Sequence, residues 1–341
     1  MSQPHLPHRG MLLLPRIRVQ NANAISSPLT WGFPAITAFT GLMTALERRL
    51  GPQAGINLLG VGVVCHGFEA QVTTDGYTRA FRLTRNPVLQ DGSTAAIVEE
   101  GRVHLDISLV FEVRLGDALL GDAEREALAG HIAQTLGSMR LAGGSVMPPL
   151  PSSPRRPQRA LLALVPDDPQ EQREQFRRLA RRLMPGFALI SRDDLLQQRL
   201  AELRTHDARA GTLDAWLDLA RWTSRAVAAP TADAQAGDTP DDHAAWVTDP
   251  RPGWIVPIPV GFTALSPLLP AGSVANARDM VTPFRFVETV WSIGQWISPH
   301  RLQRLSELIW QSGHDHDPAQ PSDQGLYRCF IDPQATAATP Y

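Results

Sequence analysis

The chain has 341 residues, enough for one large domain or two modest ones with a substantial core. Apolar residues make up 43% and charged residues 19%, the balance of an ordinary soluble globular protein. The formal net charge of −2 excludes nucleic-acid capture by a global positive field, so such a contact must come from local basic patches.

All 32 basic residues are arginine and none is lysine. Arginine offers a planar fork for phosphates and a face for stacking, which lysine lacks. Cys65 and Cys329 lie far apart and form no CxxC, so neither zinc nor a disulfide framework is expected. The early apolar run MLLL is broken by Pro15, too short for a signal peptide or a membrane span. A reduced cytoplasmic setting, with no membrane partner, is the expectation.

In chain order, Met11 to Val19 reads as a first strand. The segment QNANAISSPLTWGFP (20–34) follows, unusually dense in short hydrogen-bonding side chains beside an aromatic. Asn21, Asn23, Ser26, Ser27 and Trp31 suit a surface that reads shape and base edges, and the stretch has no acid, Lys or Arg for proton transfer. Ile36, Phe39, Leu42, Met43, Leu46 and Leu50 then recur at helical spacing, stopped by Gly51-Pro52. Ile56 to Val64 and the alternating Phe68 to Thr73 are joined by His66-Gly67 as one bent strand.

A punctuated excursion carries Arg79, Arg82, Arg85 and Asn86-Pro87 before Asp91-Gly92-Ser93. Val103 to Leu115 alternates strictly and is the clearest strand. A second helix over about 122–139 ends at Arg140 and the Gly143-Gly144-Ser145 loop, and Ala160 to Val165 is a further strand. The order strand, helix, strand, strand, helix, strand gives an α+β, ferredoxin-like antiparallel sheet with two packed helices. Its other face would be free for a ligand, as in RNA-recognition modules. Three helices are expected over 167–226, a flexible loop over 227–245, an edge strand at 254–259, and helices at 283–297 and 299–312.

Several candidates have two readings. Gly143-Gly144-Ser145 is either a helix C-cap or a backbone that approaches a phosphate-sugar chain, with Arg140 alongside. Arg173, Arg177 and Arg181 stack at four-residue steps, as a solvated face or a phosphate-contacting stripe. His66 and His104 are the histidines best placed for catalysis, yet no partner set lies near either in sequence. His314 to Asp317 could hold a metal only adventitiously, and no catalytic motif, metal site or cofactor site is expected.

The blocks QNANAISSPLTWGFP (20–34), LTRNP (83–87), DGSTAAIVEEGR (91–102), MRLAGGS (139–145), LMPGFALISR (183–192), GWIVPIP (253–259), NARD (276–279) and ISPHR (297–301) resemble the Csy-two family. These are the Cas-five-type RAMP proteins of type I-F CRISPR surveillance complexes. The resemblance implies a ferredoxin-like palm over 11–166 with a thumb-like insertion at about 79–100. To this are added a helical region over 167–226 and C-terminal elements over 246–330 that pack on the palm.

It further implies a non-catalytic subunit that binds the 5′ handle of the CRISPR guide RNA. Such a subunit pairs with the large subunit of the Csy complex, abuts its backbone subunit, and meets target double-stranded DNA through the assembly. Position and chemistry within those blocks single out Asn21, Asn23, Ser26, Ser27, Trp31, Arg82, Arg85, Asn86, Arg140, Gly143, Gly144, Ser145 and Arg278 for RNA contact. The competing expectation is a metal-independent endoribonuclease with His66 or His104 as base.

Overall fold

A computed structural model describes residues 6–85, 88–89, 91–149, 158–228, 244–251, 253–314 and 325–332. The first strand is longer than its apolar run predicts. β1 spans His8–Asn23, so the polar segment begins as strand and only then turns into the hairpin β2 (Ile25–Ser27) and β3 (Thr30–Trp31). Helix α1 (Ile36–Leu50) buries Ile36, Phe39, Leu42, Met43 and Leu46, and stops at Gly51 with φ 70°. β4 (Ile56–Ala70) is the single bent strand expected, with register shifts at Leu58/Gly60 and Cys65/Gly67 marking the bends.

The excursion after β4 is two hairpins: β5 (Val72–Asp75) with β6 (Thr78–Phe81), then β7 (Leu83–Arg85) with β8 (Ile97–Glu99). β9 (Arg102–Leu115) buries Val103, Leu105, Ile107, Leu109, Phe111, Val113 and Leu115, every second residue as the alternation demands. Helix α2 (Asp122–Gly137) leads to the tight hairpin β10 (Arg140–Leu141) and β11 (Gly144–Val146), then to β12 (Leu161–Leu164).

β12, β1, β9 and β4 lie side by side, each antiparallel to its neighbour. α1 packs on β4, α2 packs on β12, and the two helices touch. They are the first part of an antiparallel sheet that the described residues extend to eleven strands.

The region after 167 has the three expected helices, α3 (Pro169–Arg182), α4 (Asp193–Arg204) and α5 (Thr212–Ala220). It also has an unexpected strand, β13 (Phe187–Ser191), which pairs with β4 and carries the sheet onward. β14 (Ser224–Ala228) and β15 (Ala244–Thr248) form a separate ribbon, and the core of the expected loop, 229–243, lies outside the described residues.

β16 (Ile255–Ala264) pairs with β17 (Val287–Ile297) along its length but with β19 (Tyr327–Phe330) only at Gly261 and Phe262. That leaves Pro257 and Pro259, which have no N–H to give, beside an edge that no strand among the described residues pairs. β18 (Gln311–His314) completes the order β13-β17-β16-β19-β18.

Two expectations fail here. Residues 283–297 are not a helix: Val287, Thr289, Val290, Trp291, Ile293 and Ile297 build β17, flanked by strands on both sides. A strand buried on both faces reads as a near-continuous apolar run, which periodicity cannot separate from a buried helix. Residues 299–312 are likewise two short 3-10 turns, Pro299–Arg301 and Leu305–Glu307, followed by Trp310, whose backbone exchanges two hydrogen bonds with Val61 of β4.

The second failure concerns the free sheet face. Leu12, Leu14, Leu109 and Phe111 point one way and Met11, Leu13 and Val110 the other, yet all are at most 2% exposed. Met11 and Glu112 share a cavity wall with Phe176 of α3 and with Leu305. The added helix and the C-terminal turns therefore cover the middle of the second face, and among the described residues a groove opens at the far end of β1 and β9.

Candidate nucleic-acid interface

That open end is built by one hairpin. Leu141 pairs with Gly144, so the β10–β11 link is the two-residue turn Ala142-Gly143, at φ 47° and 77°. Positive φ at both central residues is the type I′ geometry that follows strand twist. β11 then pairs with β1 through Gln20↔Ser145 and Val19↔Val146, and the Asn23 amide donates to the Ala142 carbonyl at 2.8 Å. The glycine run is thus neither a helix C-cap nor a free loop. It is a hairpin laid against the end of β1.

Beside it lies a groove of about 390 Å³. Five residues singled out from the sequence line it: Asn21, Arg82, Arg140, Gly143 and Ser145. Gln20, Gln71, Leu83, Thr84, Glu100 and Arg102, which sequence reasoning did not single out, complete its walls. Arg102 arrives because it closes the register of β9 opposite Asn23, a pairing no local pattern reveals. The groove therefore gathers three guanidinium groups against the single carboxylate of Glu100.

Each arginine is braced. Arg82 donates to the Gln71 Oε1 at 2.8 Å, Arg102 Nε to the Glu100 Oε2 at 3.0 Å, and Arg140 to the Gly143 carbonyl at 3.2 Å. Held guanidiniums lose little entropy when they meet an anion. Asn21 sits at φ 57°, a left-handed position that Asn tolerates, and its amide donates to His104 Nδ1 at 3.1 Å.

The other candidates are placed differently. Asn23 spends its side chain locally, accepting from the Ile25 amide at 3.1 Å and donating to the Ile25 carbonyl at 2.9 Å. Ser26 and Ser27 both share hydrogen bonds with the Thr30 hydroxyl, and Ser27 also accepts from Trp291 Nε1 at 2.9 Å. These groups shape the β2–β3 hairpin and tie it to β17. Trp31 is 45% exposed and leans on Phe81 at the base of the excursion, with 6.1 Å between ring centroids. Gly144 is buried under β1, Arg278 stands exposed on the loop between β16 and β17, and Asn86 lies outside the described residues. Arg85 ends β7.

His66, the candidate base, has both ring nitrogens engaged: Nδ1 with the Pro185 carbonyl and Nε2 with the Ser108 hydroxyl, each at 2.7 Å. A carbonyl only accepts, so Nδ1 carries the proton and Nε2 accepts from Ser108, which is 1% exposed and itself accepts from the Arg16 amide at 3.1 Å. This chain ties the loop before β13 to the sheet at the strained Arg16, φ 53°. Among the described residues no group of three His, Cys, Asp or Glu could hold a metal, and no helix is long and apolar enough to cross a membrane.

Burial lowers the pKa of His66, with the nearby Arg16 charge acting in the same direction against the Pro185 hydrogen bond. The folded state then holds the neutral ring, so the unfolded chain binds the proton more readily. Stability contributed by His66 is complete above its ordinary pKa of about 6.5 and is lost as pH falls from there toward the lowered value. Urea midpoints taken between about pH 7.5 and 5 should fall in the native chain, and the His66→Gln variant should show a smaller fall. Equal pH slopes would refute the assignment.

Two comparisons meet this geometry. The family described as CRISPR-associated protein (Cas_Csy2) matches residues 12–329. The CRISPR-associated protein Csy2 of Pseudomonas aeruginosa (strain UCBPP-PA14) is 52% identical over 321 residues, covering 94% of each chain. A match that runs from the first strand of the sheet to its last, through the glycine hairpin and the groove, shows that this chain belongs to the Csy2 family of CRISPR-associated proteins.

Proposed function

We propose that this chain is the RNA-binding subunit of a type I-F CRISPR surveillance complex, that it holds the 5′ handle of the guide RNA, and that it breaks no bond. The groove beside the Ala142-Gly143 turn carries the reading. It offers three braced guanidiniums for phosphates, and the exposed Asn21 and Ser145 side chains for base edges and 2′-hydroxyls.

The strand order β12-β1-β9-β4 with α1 and α2 supports a ferredoxin-like palm of the RAMP kind, with the two hairpins over 72–99 as its thumb. In this reading the large subunit and the backbone subunit flank the chain in the cytoplasm, and target double-stranded DNA is met through the assembly. Base pairing supplies the sequence discrimination there while protein holds the guide backbone. The engagement of both His66 nitrogens and the burial of Ser108 support the absence of catalysis.

The test is the triple variant R82Q/R102Q/R140Q. Three lost phosphate contacts should weaken binding of a handle RNA by about a hundredfold or more at low salt and reduce the salt slope by about 2. Unchanged guide occupancy would overturn the proposal, as would metal-free cleavage of repeat RNA that His66→Gln abolishes.

A further inference from the structure

A second basic surface lies at the opposite end of β1. Arg173, Arg177 and Arg181 are exposed along one flank of α3, at four-residue steps of about 6 Å. The Pro299–Arg301 turn packs against α3 and adds Arg301. Arg9 and Arg304 line the cavity below, together with Arg173.

Three nearby acids are committed elsewhere. Glu112 pairs with Arg9, Glu174 with Arg178, and the buried Glu307 with Arg304. Among the described residues no carboxylate lies within ion-pair distance of Arg173, Arg177, Arg181 or Arg301, and the acids of α3's own N-terminal end, Asp167, the N-cap Asp168 and Glu171, pair with none of them. In a chain of net charge −2, four such arginines on adjoining elements form a local field that solvent alone does not explain.

We propose that this flank of α3, with the turn at Pro299–Arg301, docks the phosphate backbone of a nucleic-acid duplex. The patch presents guanidiniums and no stacking platform: Phe176, the aromatic of α3, is 3% exposed and faces the core. Single strands are gripped by stacking as well as charge, whereas a duplex hides its bases and offers regularly spaced phosphates. Measured along the duplex axis, the phosphates of one strand rise roughly 3.4 Å per step, so guanidiniums about 6 Å apart match about every second one. From Arg9 to Asn21 the strand runs on the order of 35–40 Å, so this surface is separate from the groove and does not rest on the guide-RNA reading.

The experiment titrates the full-length chain with duplex DNA of about 30 base pairs and unrelated sequence, between about 50 and 200 mM salt. Substituting R173Q/R177Q/R181Q should weaken binding about tenfold or more at the low end and lower the slope of log K against log salt by about 2.7. The charge-preserving R173K/R177K/R181K variant should retain the slope, and the groove variant R82Q/R102Q/R140Q should leave it unchanged, so the two proposals fail separately. Duplex RNA run in parallel tells which duplex is preferred, and either preference supports the surface. The proposal is overturned by an unchanged slope in the glutamine variant or by equal competition from an unstructured single strand.

Discussion

Replacing Trp310 with alanine is expected to cost about 3–5 kcal/mol and to be the most damaging single substitution among the described core residues. Trp310 is fully buried, and its indole Nε1 donates to the Leu189 carbonyl of β13 at 2.8 Å. Its backbone also exchanges hydrogen bonds of 2.8 and 3.0 Å with Val61 of β4. The residue thus fastens the C-terminal segment to the strand that links the two halves of the sheet. Trp310→Phe keeps most of the volume and orphans the Leu189 carbonyl, so it should cost less, about 1–3 kcal/mol. Urea unfolding of both variants checks this. Equal costs for the two would mean that the hydrogen bond, not the packed ring, is what holds the segment.

What the sequence made legible follows where its periodicities are clean. β9 keeps an apolar residue at every second position from Val103 to Leu115, though Ser108 and Val110 on its other side are buried too, and α1 keeps its buried residues on one stripe, so both are readable locally. β17 is not, because it lies between β13 and β16 and buries Ser292 and Gln295 along with its apolar residues. β13 was hidden for another reason: five residues between two helices carry too short a signal, and only pairing with β4 and β17 makes them a strand.

The groove was half legible. Asn21, Arg140, Gly143 and Ser145 announce themselves by turn chemistry, whereas Arg102 and Gln71 enter only through the register of long strands. The cover over the second sheet face had no local signature, since it comes from α3 and the turn at Leu305, far along the chain from the strands they cover.

The two glycines of the hairpin should respond to alanine in opposite ways, though they are neighbours in sequence. A Cβ on Gly144 would sit 2.7 Å from the Ala22 amide nitrogen, the Gln20 carbonyl oxygen and Val19 Cγ1. Two of those atoms are backbone of β1 and cannot swing aside, so Gly144→Ala must push β11 off β1, at about 2–3 kcal/mol. A Cβ on Gly143 meets nothing within 4 Å, and the cost there is the left-handed φ of 77°, about 1 kcal/mol, which Gly143→Asn should largely recover.

The same contrast should appear in function. Displacing β11 moves Ser145 and Arg140 out of the groove wall, so Gly144→Ala should weaken handle-RNA binding by more than tenfold, against a few-fold for Gly143→Ala. Denaturation midpoints and RNA titrations on the pair decide it. If Gly143→Ala were the more harmful in binding while Gly144→Ala unfolded the hairpin without consequence for RNA, the ligand would not lie against this turn.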